Sequence, residues 1–220
     1  MVVDTNVGYN KTNAVVRSQY FYDVDLTDLS APASNLAVFQ HNDVQGPTDQ
    51  CEQRPGGIDR STLDAWYAID RCYYNYLRVY VPVGTQLKSS TPHAVSRAEM
   101  IMLDEDIPAR VDILDENLQG LQGFGTLLVV PMGKTLETDF QFILPDGILE
   151  SDPVSHEQVY QLKVQKQAGT VSIPITVRVH LPQGSKISSI SPEVSEREGN
   201  NLLFYLKLTM DVNIRIQFHP

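Results

Sequence analysis

Apolar and polar residues alternate with a period of two along most of this chain. In AVVRSQYFYDVDL (residues 14–26), Val16, Tyr20, Tyr22, Val24 and Leu26 fall on one side, the pattern of a half-buried strand. NLAVFQHN follows a turn-rich stretch. YLRVYVP then alternates with Leu77, Val79 and Val81 inward and Tyr76, Arg78 and Tyr80 outward. TLLVVPMGKTLETDFQFILP predicts two strands about a Pro/Gly turn. Past DGILESDPVSHEQ, polar, turn-rich and the best linker in the chain, the alternation restarts in VYQLKVQKQ, VSIPITVRVHLP and LLFYLKLTMDVNIRIQF. One segment departs from this: in DRSTLDAWYAIDRC, Ser61 or Thr62 serves as a cap, and Leu63, Trp66, Tyr67 and Ile69 have helical spacing. Short strands separated by Pro and Gly, with one short helix, predict an all-β sandwich fold.

One phrase occurs twice. YLRVYVPVGTQL begins at Tyr76 and TVRVHLPQGSKI at Thr176. Each is a strand that ends at a proline, which cannot donate to a ladder, followed two residues later by a turn glycine. The order of the neighbouring strand patterns repeats as well. The expectation is two tandem immunoglobulin-like β-sandwich modules. The first, residues 1–150, carries an N-terminal strand, a cysteine-flanked insertion and the short helix; the second, smaller module is 151–220. That second unit is small enough to need a strand from its neighbour. A single continuous sandwich is the other arrangement.

Charge and cysteines narrow the function classes. A formal net charge of −10 excludes a nucleic-acid partner, which needs clustered Lys and Arg, and disfavours anionic lipid. No window reaches the roughly 18 apolar residues of a membrane span, and MVVDTNVGYNKTN lacks the basic and apolar regions of a signal peptide. Cys51 and Cys72 flank a Gly/Pro-containing segment. They can close a loop, the reading that cysteine arithmetic favours, or stand as two separate buried thiols. A disulfide points to an oxidising compartment.

Candidate chemistry is sparse. No nucleophile motif or phosphate cradle appears, since QGLQGFG has glycines but no lysine and no strand-to-helix frame. The five histidines are scattered without ligand spacing, so the reading is non-enzymatic and without cofactor. Asp23, Asp25 and Asp28 are the weak candidates for Ca²⁺, with solvated acidic edges as the plainer explanation. Trp66, Tyr67, Tyr73, Tyr74, Tyr76 and Tyr80 form the one aromatic cluster. Such rings stack on sugars when exposed and plug a sandwich core when buried. Asn10 opens a glycosylation sequon, NKT.

Three phrases, VVDTNVGYNKTNAVVRSQYFYDVDL, CYYNYLRVYVPVGTQL and YQLKVQKQAGT, resemble the C-terminal region of a bacterial family, domain-of-unknown-function family 4012, from residue 2 to about residue 190. Its NxGxNK wording appears as Asn6, Gly8, Asn10 and Lys11. The resemblance implies an exported protein, anchored to the membrane only through a segment upstream of this one, and it supports an oxidised Cys51–Cys72 pair. It carries over no catalytic residues. The expected function is therefore a non-catalytic extracellular structural or interaction module of a bacterial cell-surface protein. It would serve as stalk, adhesin or self-assembly unit through exposed strand edges, residues 14–26 among them. Its partners would be other copies of itself or cell-envelope proteins. The alternative is a carbohydrate-binding module that uses the Trp/Tyr cluster on envelope polysaccharide.

Overall fold

The alternating segments become strands. The computed structural model describes residues 1–45, 51–53, 71–100 and 103–220. Among them are β1 (Val2–Asn6), β2 (Val16–Asp25), β3 (Ala33–Asn42), β4 (Tyr73–Pro82) and β5 (Gln86–Ser90). Next come β6 (Asp112–Leu114), β7 (Leu121–Val130), β8 (Thr135–Ile143), β9 (Leu149–Ser151) and β10 (Gln158–Val164). The last are β11 (Ile173–His180), β12 (Lys186–Ser191), β13 (Glu196–Glu198), β14 (Asn201–Leu208) and β15 (Val212–His219). The fold is all-β, and the one helical turn among the described residues is a 3-10 turn at Thr12–Val15. The helix expected around Leu63–Ile69 lies outside the described residues.

Three sheets organise these strands. A seven-stranded sheet runs β13-β14-β11-β2-β3-β8-β5, and two four-stranded sheets, β1-β4-β7-β6 and β12-β15-β10-β9, flank it. Within the long sheet β2 pairs antiparallel with β3 and parallel with β11, from Ile175↔Tyr20 to His180↔Asp25. Tyr20 and Val24 therefore share a face with Leu36 and Val38 on one side and with Val177 and Val179 on the other. Both flanking sheets cover that face: Leu77 and Phe124 from one, Ile214 and Phe218 from the other, join the same core cluster. Each such large side chain, fully buried, contributes about 1.5–3 kcal/mol.

This arrangement corrects two expectations. Residues 14–26 are not a free terminal strand, because β2 is bonded to β3 along its length and to β11 along Tyr20–Asp25, and lies mid-sheet. Nor is the stretch around residue 150 an open linker. The stretch expected as a linker contains β9, which pairs with β10, and the long sheet runs unbroken through strands from both halves. The physical reason is that β2 presents the same apolar face to two neighbours, so a ladder to each buries more surface than an open edge.

The repeated phrase folds the same way twice. β4–turn–β5 passes from one flanking sheet to the long sheet, and β11–turn–β12 passes from the long sheet to the other flank. Thr85 N–H donates to Pro82 C=O and Ser185 N–H to Pro182 C=O, each at 3.2 Å. Gly84 and Gly184 both take φ 89°, a region that L side chains avoid. A register shift follows in each next strand, between Leu87 and Ser89 and between Ile187 and Ser189. Four pairings also occur in duplicate: β3·β8 and β10·β15, β4·β7 and β11·β14, β5·β8 and β12·β15, β6·β7 and β13·β14.

The two turns differ in one contact, which gives a test. A Cβ at Gly84 would sit 3.2 Å from Pro145 Cβ, whereas one at Gly184 meets nothing within 4 Å. Gly184→Ala is expected to cost the backbone strain alone, about 1–2 kcal/mol, and Gly84→Ala measurably more. Urea denaturation of the two variants checks the order.

Candidate functional site

The sequence-predicted residues separate once folded. Cys51 and Cys72 form a disulfide with Cα atoms 5.6 Å apart, packed with Tyr74, Val7, Met100, Val129 and Met132. The NxGxNK phrase is bound to the same place. Asn6 Oδ1 accepts from Gly8 N–H at 2.8 Å, and Asn10 Nδ2 donates to Cys72 C=O at 3.2 Å. A Cβ on Gly8 would lie 2.8 Å from the Tyr74 ring. The amide of the Asn10 sequon is thus spent on the fold. Trp66 and Tyr67 lie outside the described residues.

The four described tyrosines do not make an exposed platform. Tyr73 turns into the core at 2% exposure, and Tyr74 is buried against the disulfide at 1%. Tyr76 and Tyr80 lie on the outer face of their sheet, over β7, where Gly125 and Gly123 leave room. A Cβ at those positions would stand 2.6 Å from Tyr76 Oη and 3.1 Å from Tyr80 Cε1. The GxG of QGFG is therefore a seat for two rings. Their hydroxyls reach carboxylates across the sheet: Tyr76 donates to Asp112 Oδ2 at 2.9 Å, and Tyr80 to Glu116 Oε2. Burial, aided by that bond, pushes Tyr76 up to about 12. The Tyr80 hydroxyl holds Glu116 below the usual carboxyl range.

The three aspartates are also occupied locally. Asp25 Oδ1 accepts from the Thr27 N–H and hydroxyl, and Asp28 Oδ1 from those of Ser30; both carboxyls are lowered by these bonds. Asp23 pairs with Arg178 at 3.1 Å and faces His180 Nε2 at 2.7 Å across the β2–β11 ladder. These are turn caps and a sheet-surface ion pair. No group of three or more His, Cys, Asp or Glu among the described residues is placed to hold a metal ion.

Two open features were not singled out in the sequence. An apolar cleft of about 370 Å³ lies where the flanking sheets approach each other over the long sheet. Val2 and Val81 form one wall, Leu162 and Val164 the other, and Tyr22 and Phe142 the floor. Both walls are strand edges. β1 is the last strand of its sheet, and β9 covers only Gln158–Tyr160 of β10, leaving 161–164 without a strand on that side among the described residues. On the uncovered face of the long sheet, Phe21 and Phe39 pack edge to face at 5.4 Å. They line a cavity of about 1040 Å³ with Arg17, Gln19 and His41.

The same cavity reaches Asp4, the one acid of β1, which turns inward opposite Leu77. Its Oδ1 accepts from Gln40 Nε2 at 2.6 Å and Asn75 Nδ2 at 2.7 Å. Burial raises its carboxyl above the usual range, against the lowering effect of Asn75, Gln40 and Ser18. The backbone at Asp4 is clamped by the Gln167 side chain. The Asp4 N–H donates to Gln167 Oε1, and Gln167 Nε2 donates to Asp4 C=O, both at 2.8 Å.

No family model matches the chain, and neither does a curated protein. Solved structures superpose on it to differing extents. A Legionella pneumophila protein described as nutrient-binding superposes with a TM-score of 0.50 at 8% identity, over 99% of this chain and 70% of its own. Leukotriene A4 hydrolase of Saccharomyces cerevisiae gives 0.47 at 9% identity, over 95% of this chain and 31% of the enzyme. An M1 zinc metallopeptidase of Deinococcus radiodurans gives 0.40 at 12%, over 94% and 42%. At 8% identity the first likeness is one of architecture alone, and the chain spans less than half of either enzyme.

Two outcomes are expected at these residues. Cys51→Ser with Cys72→Ser opens a loop of sequence separation 21 and should lower unfolding free energy by about 3 kcal/mol, read in guanidinium melts under oxidising conditions. Asp4 binds its proton more tightly folded than unfolded, so the native chain loses stability as pH rises from the ordinary carboxyl range through the folded-state value. Asp4→Asn lacks that loss. Its stability relative to the parent should grow as pH rises from 4 to 8, measured by thermal melts across pH.

Proposed function

We propose that this chain is a non-catalytic interaction module of an exported cell-surface protein. It engages its partner, another copy of itself in the first instance, by strand addition at the cleft between β1 and β10. The observation that carries this reading is the pairing of half-buried apolar side chains, in one cleft, with two strand edges that carry no further strand among the described residues. An added strand hydrogen-bonds along the edge while its alternate side chains fill the apolar space. The disulfide favours an oxidising compartment, and the resemblance to domain-of-unknown-function family 4012 points the same way. The twice-used pairing scheme supports reading the halves, 1–150 and 151–220, as two related sandwich units of immunoglobulin-like kind that have come to share a sheet.

The Phe21–Phe39 pair favours a second reading, carbohydrate binding. Partly exposed rings beside Arg17, Gln19 and His41 offer a stacking surface with hydrogen-bonding neighbours. This moves the sugar-contacting face away from the tyrosines. Loss of polysaccharide retention by Phe21→Ala would raise this reading above the first.

For the leading reading, sedimentation equilibrium of the oxidised protein is expected to show mass rising with concentration, and Leu162→Lys to remain monomeric. A parent protein that stays monomeric at every concentration, or a variant that associates equally well, overturns strand addition between copies at this cleft.

A further inference from the structure

The Asp4 carboxylate is held only by neutral donors. Gln40 and Asn75 both bond to Oδ1, the Ser18 hydroxyl is the third neutral donor to the carboxyl, and no described Lys, Arg or His lies within ion-pair distance. A partly buried charge in this position normally finds a cation or neutralises itself. Here the surroundings are oxygen-rich. Ser18 stands beside it, and the hydroxyls of Tyr20 and Tyr73 lie within reach of its field. The Tyr20 hydroxyl is buried and has no hydrogen bond of good geometry. Asp4, Ser18 and Tyr73 line the 1040 Å³ cavity. That cavity is beside residues 16–19 of β2, where the β11 ladder, which begins at Tyr20, leaves the strand edge open.

We propose that this cavity binds a small primary amine, with its ammonium group on Asp4 Oδ2 and neighbouring hydroxyl oxygens. Several cations can be told apart on geometry. A guanidinium prefers a carboxylate with both oxygens free for a two-bond fork, and Oδ1 already accepts twice. Ca²⁺ takes six to eight oxygen ligands, several of them from carboxylates, and one carboxylate is present. An ammonium has three donors and no planar demand, which suits one carboxylate oxygen with Ser18, Tyr20 and Tyr73 around it. The Gln167 clamp on the Asp4 backbone fixes the acceptor in place, and the net charge of −10 draws cations toward the protein. The rest of the cavity is within or just beyond the usual size of a small-molecule site, leaving room for the organic part of the amine.

The experiment is titration of the whole oxidised chain with n-butylammonium and 1,4-diaminobutane at neutral pH, read by calorimetry and by the carboxyl ¹³C shift of Asp4. Guanidinium, n-butanol and Ca²⁺ serve as comparison probes. The expected result is saturable amine binding with a shift at Asp4, weaker binding of the other three, and a loss of about tenfold or more in Asp4→Asn. Ser18→Ala keeps the carboxylate and is expected to bind several-fold more weakly. The proposal is overturned if neither amine binds saturably, if guanidinium or Ca²⁺ binds as tightly, or if folded Asp4→Asn binds as the parent does. Should Asp4→Asn not fold, unaltered binding by Ser18→Ala overturns it.

Discussion

Along Tyr20–Asp25, β2 is bonded to β11 in parallel and to β3 antiparallel, and this double attachment carries the long sheet from one half of the chain into the other. Without the β11 ladder there would be two smaller sheets, each covered by its own flank. With it, Tyr20 and Val24 present a continuous apolar floor on which both flanks pack. A parallel ladder requires a long crossover, and here residues 26–172 supply it. Because both flanks lie on the same side, they meet edge to edge over β2. That meeting creates the cleft at β10, and the larger cavity opens where the ladder stops.

The elements were legible wherever alternation was strict, as in β2, β4, β8 and β11. Their partners were less so. A period-two pattern tells which residues face inward but not which strand lies beside them, and β2's neighbour in β11 is about 150 positions away. The Pro-x-Gly-Ser/Thr phrase was read as a turn and is one. What it does in the fold, switching between sheets, required knowing where the next strand pairs.

Chemistry was harder to read. Six aromatics close together suggested a surface, yet alternation alone puts Tyr73 on the opposite face from Tyr74, and the glycines that seat Tyr76 and Tyr80 are over 40 residues downstream at Gly123 and Gly125. Asp23, Asp25 and Asp28 looked like one acidic group because they are near in sequence; two of them cap turns of their own. Asp4 drew no notice, although in VVDTN it shares the inward alternation with Val2 and Asn6. A charged residue on an apolar phase was the available signal. Its partners, Gln40 and Asn75, are polar residues on inward phases of other strands, and they could have been sought together with it.

The position of β2 also bears on how the chain is made. β2 waits for a neighbour that leaves the ribosome some 150 residues later, so the long sheet is dominated by distant contacts and closes slowly. Until β11 arrives, the edge of β2 with its alternating Tyr, Phe and Val is a template for any other extended chain. A chain interrupted between β8 and β11 would keep that edge permanently. For this architecture, the emergence of β11 is what turns an adhesive strand into the middle of a sheet.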